Sequence, residues 1–332
     1  MPTAFITGIG GQDGVYLASL LVGKGYQVFG SLRGQSLDFP SSLIQSGLQK
    51  AVHLLPLDLT NQAQICDVLQ KIQPDEIYHL ASQSSIALSF QKPVDTGETN
   101  AMTTARLLEA TRRAAPRARL LYPSSCDVFG HVQHWPQDES TPLLPRSPYG
   151  ASKAYSHFLT QTYREAYGLH ASCAILYNHE SPLRSPHFVT RKVTSAVARI
   201  KMGLQDHLTL GNLDVERDWG FAGDYVAAMH LMLQQETPDD YVIATGKKHS
   251  LREFVHLAFD AVGLKAEDYV RIDPSLLRPI DEHALVGNPG KANRIGWQAR
   301  ISFPQLISLL VEADLKAVTQ STNLLHQLEH VG

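Results

Sequence analysis

Cysteine is scarce in this chain: Cys66, Cys126 and Cys173 are all there is in 332 residues, widely spaced and odd in number. That argues against a disulfide framework and against Cys-based metal spacing, so the thiols read as free in a reducing compartment and no metal is expected. A charge excess is also missing. The net charge of −3 leaves no nucleic-acid footprint, and pairs such as Arg112-Arg113 and Lys247-Lys248 read as solvated surface. No apolar run approaches the roughly 20 residues of a membrane span. No charged stretch followed by an apolar core precedes the first strand-like run, Ala4-Phe5-Ile6-Thr7. Neither a membrane nor a nucleic acid is expected as partner, and the expected location is the cytoplasm. Internal repeats and low-complexity linkers are absent too.

What is present is an ordinary globular composition, 43% hydrophobic and 18% charged, with enough chain for one large domain or two smaller ones. Strand-like and helix-like segments alternate from the start. After Ala4–Thr7 comes Gly8-Ile9-Gly10-Gly11-Gln12-Asp13-Gly14, then an apolar helical run over 15–22 and a strand over 27–30. Gly8, Gly11 and Gly14 fall at G-x-x-G-x-x-G spacing between strand and helix. There the first glycine permits a tight turn, the second admits a pyrophosphate to the backbone, and the third lets helix and strand pack closely. The alternative for such a run is a structural turn, but the strand–loop–helix–strand order favours dinucleotide binding. No acid follows the second strand, where a NAD site presents one. Arg33 stands there instead and tilts the cofactor to NADP over NAD.

Further strands are expected at 52–58, 76–80, 119–122 and 171–177, with helices at 62–72 and 99–114. Strands separated by helix-length segments make a parallel, doubly wound α/β sheet of Rossmann-like type, with a smaller C-terminal α/β substrate region. The expected division is residues 1–177 mainly for the dinucleotide and 178–332 mainly for the substrate, with some chain crossing back to the sheet. Gly8, Arg33, Asp58, Leu80 and Ser125 all follow strand ends, where such sheets bind ligands. Loops are expected over 183–188, 212–220 and 273–281. The arginines and lysines scattered through them suit either a diphosphate clamp or a salt-bridged surface.

Tyr149 and Lys153 lie four apart on an expected helix and share a face. An ammonium beside a phenol favours the phenolate, so Tyr149 is expected to be partly ionised and to exchange protons near neutral pH. Ser125, at the exit of the fifth strand, would hold a substrate hydroxyl against it.

With these residues in place the chain resembles the extended short-chain dehydrogenase/reductases, most closely the GDP-mannose 4,6-dehydratases. The match rests on Ile6-Thr7-Gly8 through Gln12-Asp13-Gly14, Arg146 through Gly150, Asn178-His179-Glu180-Ser181-Pro182, Phe188 through Lys192, Gly211-Asn212, Arg217-Asp218-Trp219-Gly220, Ile243 through Gly246 and Arg278-Pro279. The resemblance implies that Gly8, Gly11, Gln12, Asp13, Gly14, Arg33, Asp58, Leu59, Leu80, Ala81, Ser82, Gln83, Ser84, Tyr149, Lys153, His179 and Arg184 hold NADP. It implies that Asn178, Lys192, Arg217, Arg278 and Asp281 hold a GDP-linked sugar, and that Ser125, Asp127, Tyr149 and Lys153 are catalytic. The implied reaction is internal redox. Tyr149 takes the 4-hydroxyl proton as hydride leaves C4, a carboxylate removes the C5 proton, water leaves from C6, and the hydride returns there. A homodimer or homotetramer is implied as well, pairing through helices near 99–114 and 149–168; the same faces would otherwise simply cover the sheet.

Three departures bear on that implication. The family's Thr-Ser-Glu is Ser125-Cys126-Asp127 here, which withdraws the carboxylate by about one C–C bond, roughly 1.5 Å, and such a misplacement can cost on the order of a hundredfold in rate. Cys126 also puts a weaker hydrogen-bonding group where the family has a hydroxyl, and the Ser-Ser-x-Asp-Val run looks more like GDP-4-keto-6-deoxy-mannose reductases. Gly34 stands where the family has a second arginine, and Asp281 and His283 where it has acids. Two alternatives to the dehydratase therefore stand: a GDP-sugar 4-reductase, 4-dehydrogenase or epimerase without elimination, and an inactive NADP-binding sensor.

Overall fold

The computed structural model describes residues 1–34, 38–132, 134–276 and 285–329, with 321–329 described by backbone alone. Six strands carry the first half: β1 Thr3–Thr7, β2 Gln27–Leu32, β3 Val52–Pro56, β4 Glu76–His79, β5 Arg119–Ser125 and β6 Ala171–Leu176. With the later strand Tyr241–Ile243 they form one seven-stranded sheet, ordered Tyr241–Ile243, β6, β5, β4, β1, β2, β3. Every pairing in it is parallel. The residues explain the layering. Every position of β4 and β6 is buried, as a sheet covered on both faces requires.

Successive residues of β1 serve opposite cores. Ala4 and Ile6 pack with the helices Gln12–Gly23 and Ala222–Leu233, while Phe5 packs with Gln62–Ile72 and Thr103–Ala114. Phe5 is fully buried, so truncation to Ala would cost about 3–5 kcal/mol.

A separate core joins the helices Val189–Lys201, Leu251–Asp260 and Phe303–Glu329 around Val193, Val197, Phe254, Leu306 and Trp219. The chain reaches it and returns. Trp219–Phe221 pairs in parallel with Asn178–Glu180, and Tyr241–Ile243 then closes the open edge of β6. That last strand is tied down just before it begins. Arg164 grips Asp240 with two 2.9 Å hydrogen bonds, and Gln161 and the Cys173 amide donate to the same carboxylate.

Two expectations need correcting. The 212–220 stretch is not all loop: Glu216–Arg217 pairs antiparallel with His249–Ser250, and Trp219 buries itself against Phe254 and Phe303. The helix expected over 99–114 begins as a π-turn at Glu98–Met102 before Thr103–Ala114. There Thr103 and Thr104 turn their hydroxyls onto the carbonyls of Thr99 and Asn100, which loosens the α ladder. Among the described residues no helix is long and apolar enough to cross a membrane.

Candidate active site

The expected strand-end residues do line one edge of the sheet. Gly8, Arg33 and Leu80 directly follow β1, β2 and β4, Ser125 ends β5, and Asp58 lies two residues past β3. Order reverses between β1 and β4, the switch point where such sheets open a crevice. Gly8 sits there at φ 71°, and a Cβ on it would come within 2.7 Å of the Ala81 nitrogen. Only glycine fits that turn against the 80–84 loop. The following helix has no side-chain cap, which leaves its first N–H groups free to meet an anion.

The loop itself is held by Asn100, which sequence reasoning missed. Its amide oxygen accepts from Ser82 Oγ at 3.0 Å and Gln83 N at 2.8 Å, while its nitrogen donates to Gln83 O and to Ser152 Oγ. A buried Asn inside a helix, among threonines, is the only signal the sequence offered. His79 was missed as well. It is buried beneath the turn with Nδ1 2.9 Å from Thr7 Oγ1, and burial, then the Lys153 charge, pushes its pKa down to about 3.

The catalytic candidates meet where β5 exits against the helix Pro148–Tyr167. Ser147 caps that helix through the Gly150 amide at 2.9 Å. A Cβ on Gly150 would lie 2.7 Å from the Asp127 carbonyl, so this glycine sets the approach of Tyr149 to the strand exit. Ser125 Oγ donates to Asp127 Oδ2 at 2.9 Å, and its hydrogen bond to the Tyr149 phenol eases that group's ionisation. Lys153 Nζ donates to the Pro123 carbonyl at 2.9 Å and lies 5.8 Å from the Tyr149 ring centre.

This geometry corrects one expectation. Tyr149 is not held partly ionised: burial first, and then the neighbouring Asp127 carboxylate, push its pKa well above the ordinary value. One of the three N–H groups of the Lys153 ammonium goes to the Pro123 carbonyl. Burial lowers its own pKa to about 8, with Asp13 and Asp127 opposing. At neutral pH the pair is therefore a neutral phenol beside an ammonium.

His179 reaches back from the strand Asn178–Glu180 to the start of the glycine-turn helix, with Nε2 2.9 Å from Asp13 Oδ2. Arg184 lies near both, its guanidinium carbon 3.5 Å from the centre of the Phe188 ring and its Nε 3.4 Å from Glu180. Asp58 is exposed toward the far end of the edge; its pKa is lowered mainly by its hydrogen bonds from Thr60, and the Arg33 charge adds a smaller lowering. Leu59 is half-buried beside it.

Among the substrate candidates, Asn178 opens its strand, Arg217 lies on the paired segment Glu216–Arg217, and Lys192 Nζ donates to Thr209 O at 2.7 Å. A cavity of about 360 Å³ opens beside Lys192, lined also by Pro186, Ser195, Gln205, His207 and Thr209. Arg191 lines the same cavity and is paired through Nη2 with Asp314 at 2.6 Å, while its Nε and Nη1 are without a hydrogen-bond partner among the described residues. Arg278, Asp281 and His283 lie outside the described residues.

Known proteins match this arrangement along its length. A family model described as GDP-mannose 4,6 dehydratase matches residues 5–310. The chain is 46% identical to GDP-mannose 4,6 dehydratase 2 of Arabidopsis thaliana, over 94% of this chain and 87% of that one. It is 41% identical to the GDP-mannose 4,6-dehydratase of Yersinia enterocolitica, over 96% and 95%. Among solved structures, the UDP-glucose 4-epimerase of Thermotoga maritima superposes with a TM-score of 0.84 at 21% identity, over 95% of this chain and 99% of that one. The dTDP-glucose 4,6-dehydratase of Bacillus anthracis, in complex with NAD, gives 0.82 at 20% identity, over 95% and 97%. RMD of Pseudomonas aeruginosa, complexed with NADPH, gives 0.79 at 24%, over 95% and 100%. At these identities the superpositions show the fold alone, a parallel Rossmann-like sheet with a smaller C-terminal region.

Proposed function

The chain belongs to the GDP-mannose 4,6-dehydratase family, and from this we propose that it is an NADP-dependent lyase converting GDP-mannose, or a close analogue, to its 4-keto-6-deoxy product. The observation that carries the reading is the gathering of Ser125, Asp127, Tyr149 and Lys153 at the β5 exit, on the same sheet edge as the Gly8 turn. The turn suits a dinucleotide: its glycine cradle would be filled by any Cβ, and uncapped N–H groups stand ready for a pyrophosphate. Arg33 at the end of β2 favours the 2′-phosphate, hence NADP over NAD. When bound, the nicotinamide supplies a hydride acceptor and donor and, oxidised, a positive charge that favours ionised Tyr149.

In this reading Ser125 holds the sugar 4-hydroxyl and Tyr149 receives its proton. For that, Tyr149 must first give up its own proton to solvent; Lys153, beside its ring, and the charge of the oxidised nicotinamide would favour that phenolate, and taking the substrate's proton returns it to the neutral phenol. Asp127 would then take the C5 proton, acidified by the 4-ketone, and pass it to the C6 hydroxyl, which leaves as water. Return of the C4 hydride to C6 and of the proton held by Tyr149 to C5 completes the 4-keto-6-deoxy product. Asn178, Lys192, Arg217, Arg278 and Asp281 would hold the GDP part, and His179 and Arg184 the cofactor. One observation favours a second reading, a GDP-sugar 4-reductase, 4-dehydrogenase or epimerase: Asp127 is tied back onto Ser125 at 2.9 Å, which competes with its reaching C5.

Incubation with GDP-mannose and catalytic NADP+ separates the two. Loss of one water without added reductant supports the dehydratase. A two-hydrogen change that consumes cofactor stoichiometrically supports the redox enzyme and overturns the first reading. The chain would work in the cytoplasm as a homodimer or homotetramer. Leu88, Phe90, Val94, Met102, Tyr155 and Phe158 stand exposed on mutually packed helical segments, an apolar surface suited to a second copy.

A further inference from the structure

Both ring nitrogens of His179 face acceptors. Nδ1 is 2.7 Å from the Tyr177 carbonyl oxygen and Nε2 is 2.9 Å from Asp13 Oδ2. A neutral imidazole has one N–H and can satisfy only one of them; an imidazolium satisfies both. The ring also stacks on Tyr225, with centroids 4.7 Å apart, a face that suits a cation.

We infer that His179 is a resident imidazolium, and that with Asp13 it forms an ionic clasp fastening the glycine-turn helix to the 178–184 segment. Asp13 is thereby a positioning residue: through His179 it holds the short strand whose first residue is Asn178, a candidate contact of the nucleotide sugar. Two neutral links run alongside the clasp: Gln12 Nε2 donates to the His179 carbonyl at 3.1 Å, and Ser181 Oγ donates to Gln12 Oε1 at 2.8 Å.

The groups facing His179 are Asp13 from the helix, Arg184 from its own segment, and Tyr225 from the helix Ala222–Leu233. Burial and Arg184 oppose the imidazolium while Asp13 supports it, and its pKa ends above the ordinary histidine value. Asp13 is correspondingly lowered: burial works against its charge, and His179 outweighs it. The clasp is therefore closed at neutral pH and opens as alkali removes the imidazolium proton. Because Asn178 leaves from the same short segment, opening should loosen the nucleotide-sugar site while the chemistry at Tyr149 is left in place.

The clasp deepens the proposed function and rests on it for the identity of the ligands, but not for the charge on His179. The first test is therefore made without ligands. Ring-nitrogen NMR of the intact protein, with His179 assigned by its absence from His179→Gln, should show both nitrogens protonated at neutral pH. The midpoint should lie above the ordinary histidine value, and in Asp13→Asn it should fall below it. A neutral His179 at neutral pH overturns the inference whatever the enzyme's activity.

The second test compares Asp13→Asn with Ser181→Ala, which removes a neutral link across the same junction. Asp13→Asn should raise KM for the sugar nucleotide about tenfold with a smaller change in kcat, and should move the alkaline rise of KM to lower pH. Ser181→Ala should leave that pH dependence in place. Identical pH profiles in the two variants would mean that Asp13 merely supports the fold, and the clasp would be refuted.

Discussion

Replacing Lys153 by Met separates the catalytic value of the ammonium from its thermodynamic burden. The side chain is buried, and its pKa falls from 10.5 to about 8 because burial disfavours the charge more than Asp13 and Asp127 favour it. A drop of that size corresponds to about 3 kcal/mol at roughly 1.4 kcal/mol per tenfold. The sign follows from proton counting. Below the native pKa both states carry the proton, and the native state bears the full penalty. Between the native and unfolded pKa values the unfolded chain binds more protons, so stability rises with pH as the penalty is relieved.

Lys153→Met has no such rise. It also gives up the hydrogen bond to the Pro123 carbonyl, which for a charged donor contributes about 1.5–3 kcal/mol. Near neutral pH the two gains and losses nearly cancel, and the variant should be about as stable as the parent. As pH climbs from about 7 toward 10.5, the parent should gain on the variant by up to about 3 kcal/mol. Urea unfolding of both proteins across that range measures the difference, and the other titrating groups cancel in it. Parallel stability curves would refute the account of Lys153, while turnover should fall at least about a hundredfold in the variant.

Asp127→Asn should stop loss of water while leaving hydride exchange at C4, read as deuterium wash-in from labelled cofactor; persisting elimination would remove Asp127 as the base. Gly8→Ala puts a methyl against the Ala81 backbone at a positive φ, and NADPH affinity, followed by its fluorescence, should fall at least about tenfold. An unchanged affinity would mean that the dinucleotide lies elsewhere. Phe158→Asp, on the exposed apolar surface, should shift the protein toward monomer in light scattering at constant concentration. If the mass does not change, that surface is not where copies meet.

The sheet was legible because its strands are continuous apolar runs broken at helix-length intervals, and the strand exits followed from the order alone. The Ser125–Tyr149–Lys153 group was legible for the same reason: a strand exit and a helix start are local features. What escaped notice depends on contacts between distant segments. Asn100 looks like any helical polar residue until the 80–84 loop folds over it, and His79 looks like a strand residue until Lys153 lies nearby. The ionisation of Tyr149 was misjudged because spacing on a helix gives proximity to the ammonium but neither the burial of the phenol nor the nearness of Asp127, which together raise its pKa. The short strand at Glu216–Arg217 was hidden because its partner, His249–Ser250, lies 32 residues further on and neither segment alternates long enough to declare itself.

The return of the chain to the sheet governs what scissors would do to this molecule. A fragment stopped at residue 177 would leave β6, buried at every position, as a bare hydrogen-bonding margin without Tyr241–Ile243 beside it. It would also leave Arg164 without Asp240 and one face of the sheet stripped of the helix Ala222–Leu233. Such a piece invites strand-to-strand sticking between copies. An excised first half should therefore be made with residues 222–243 grafted back, not by cutting after residue 177.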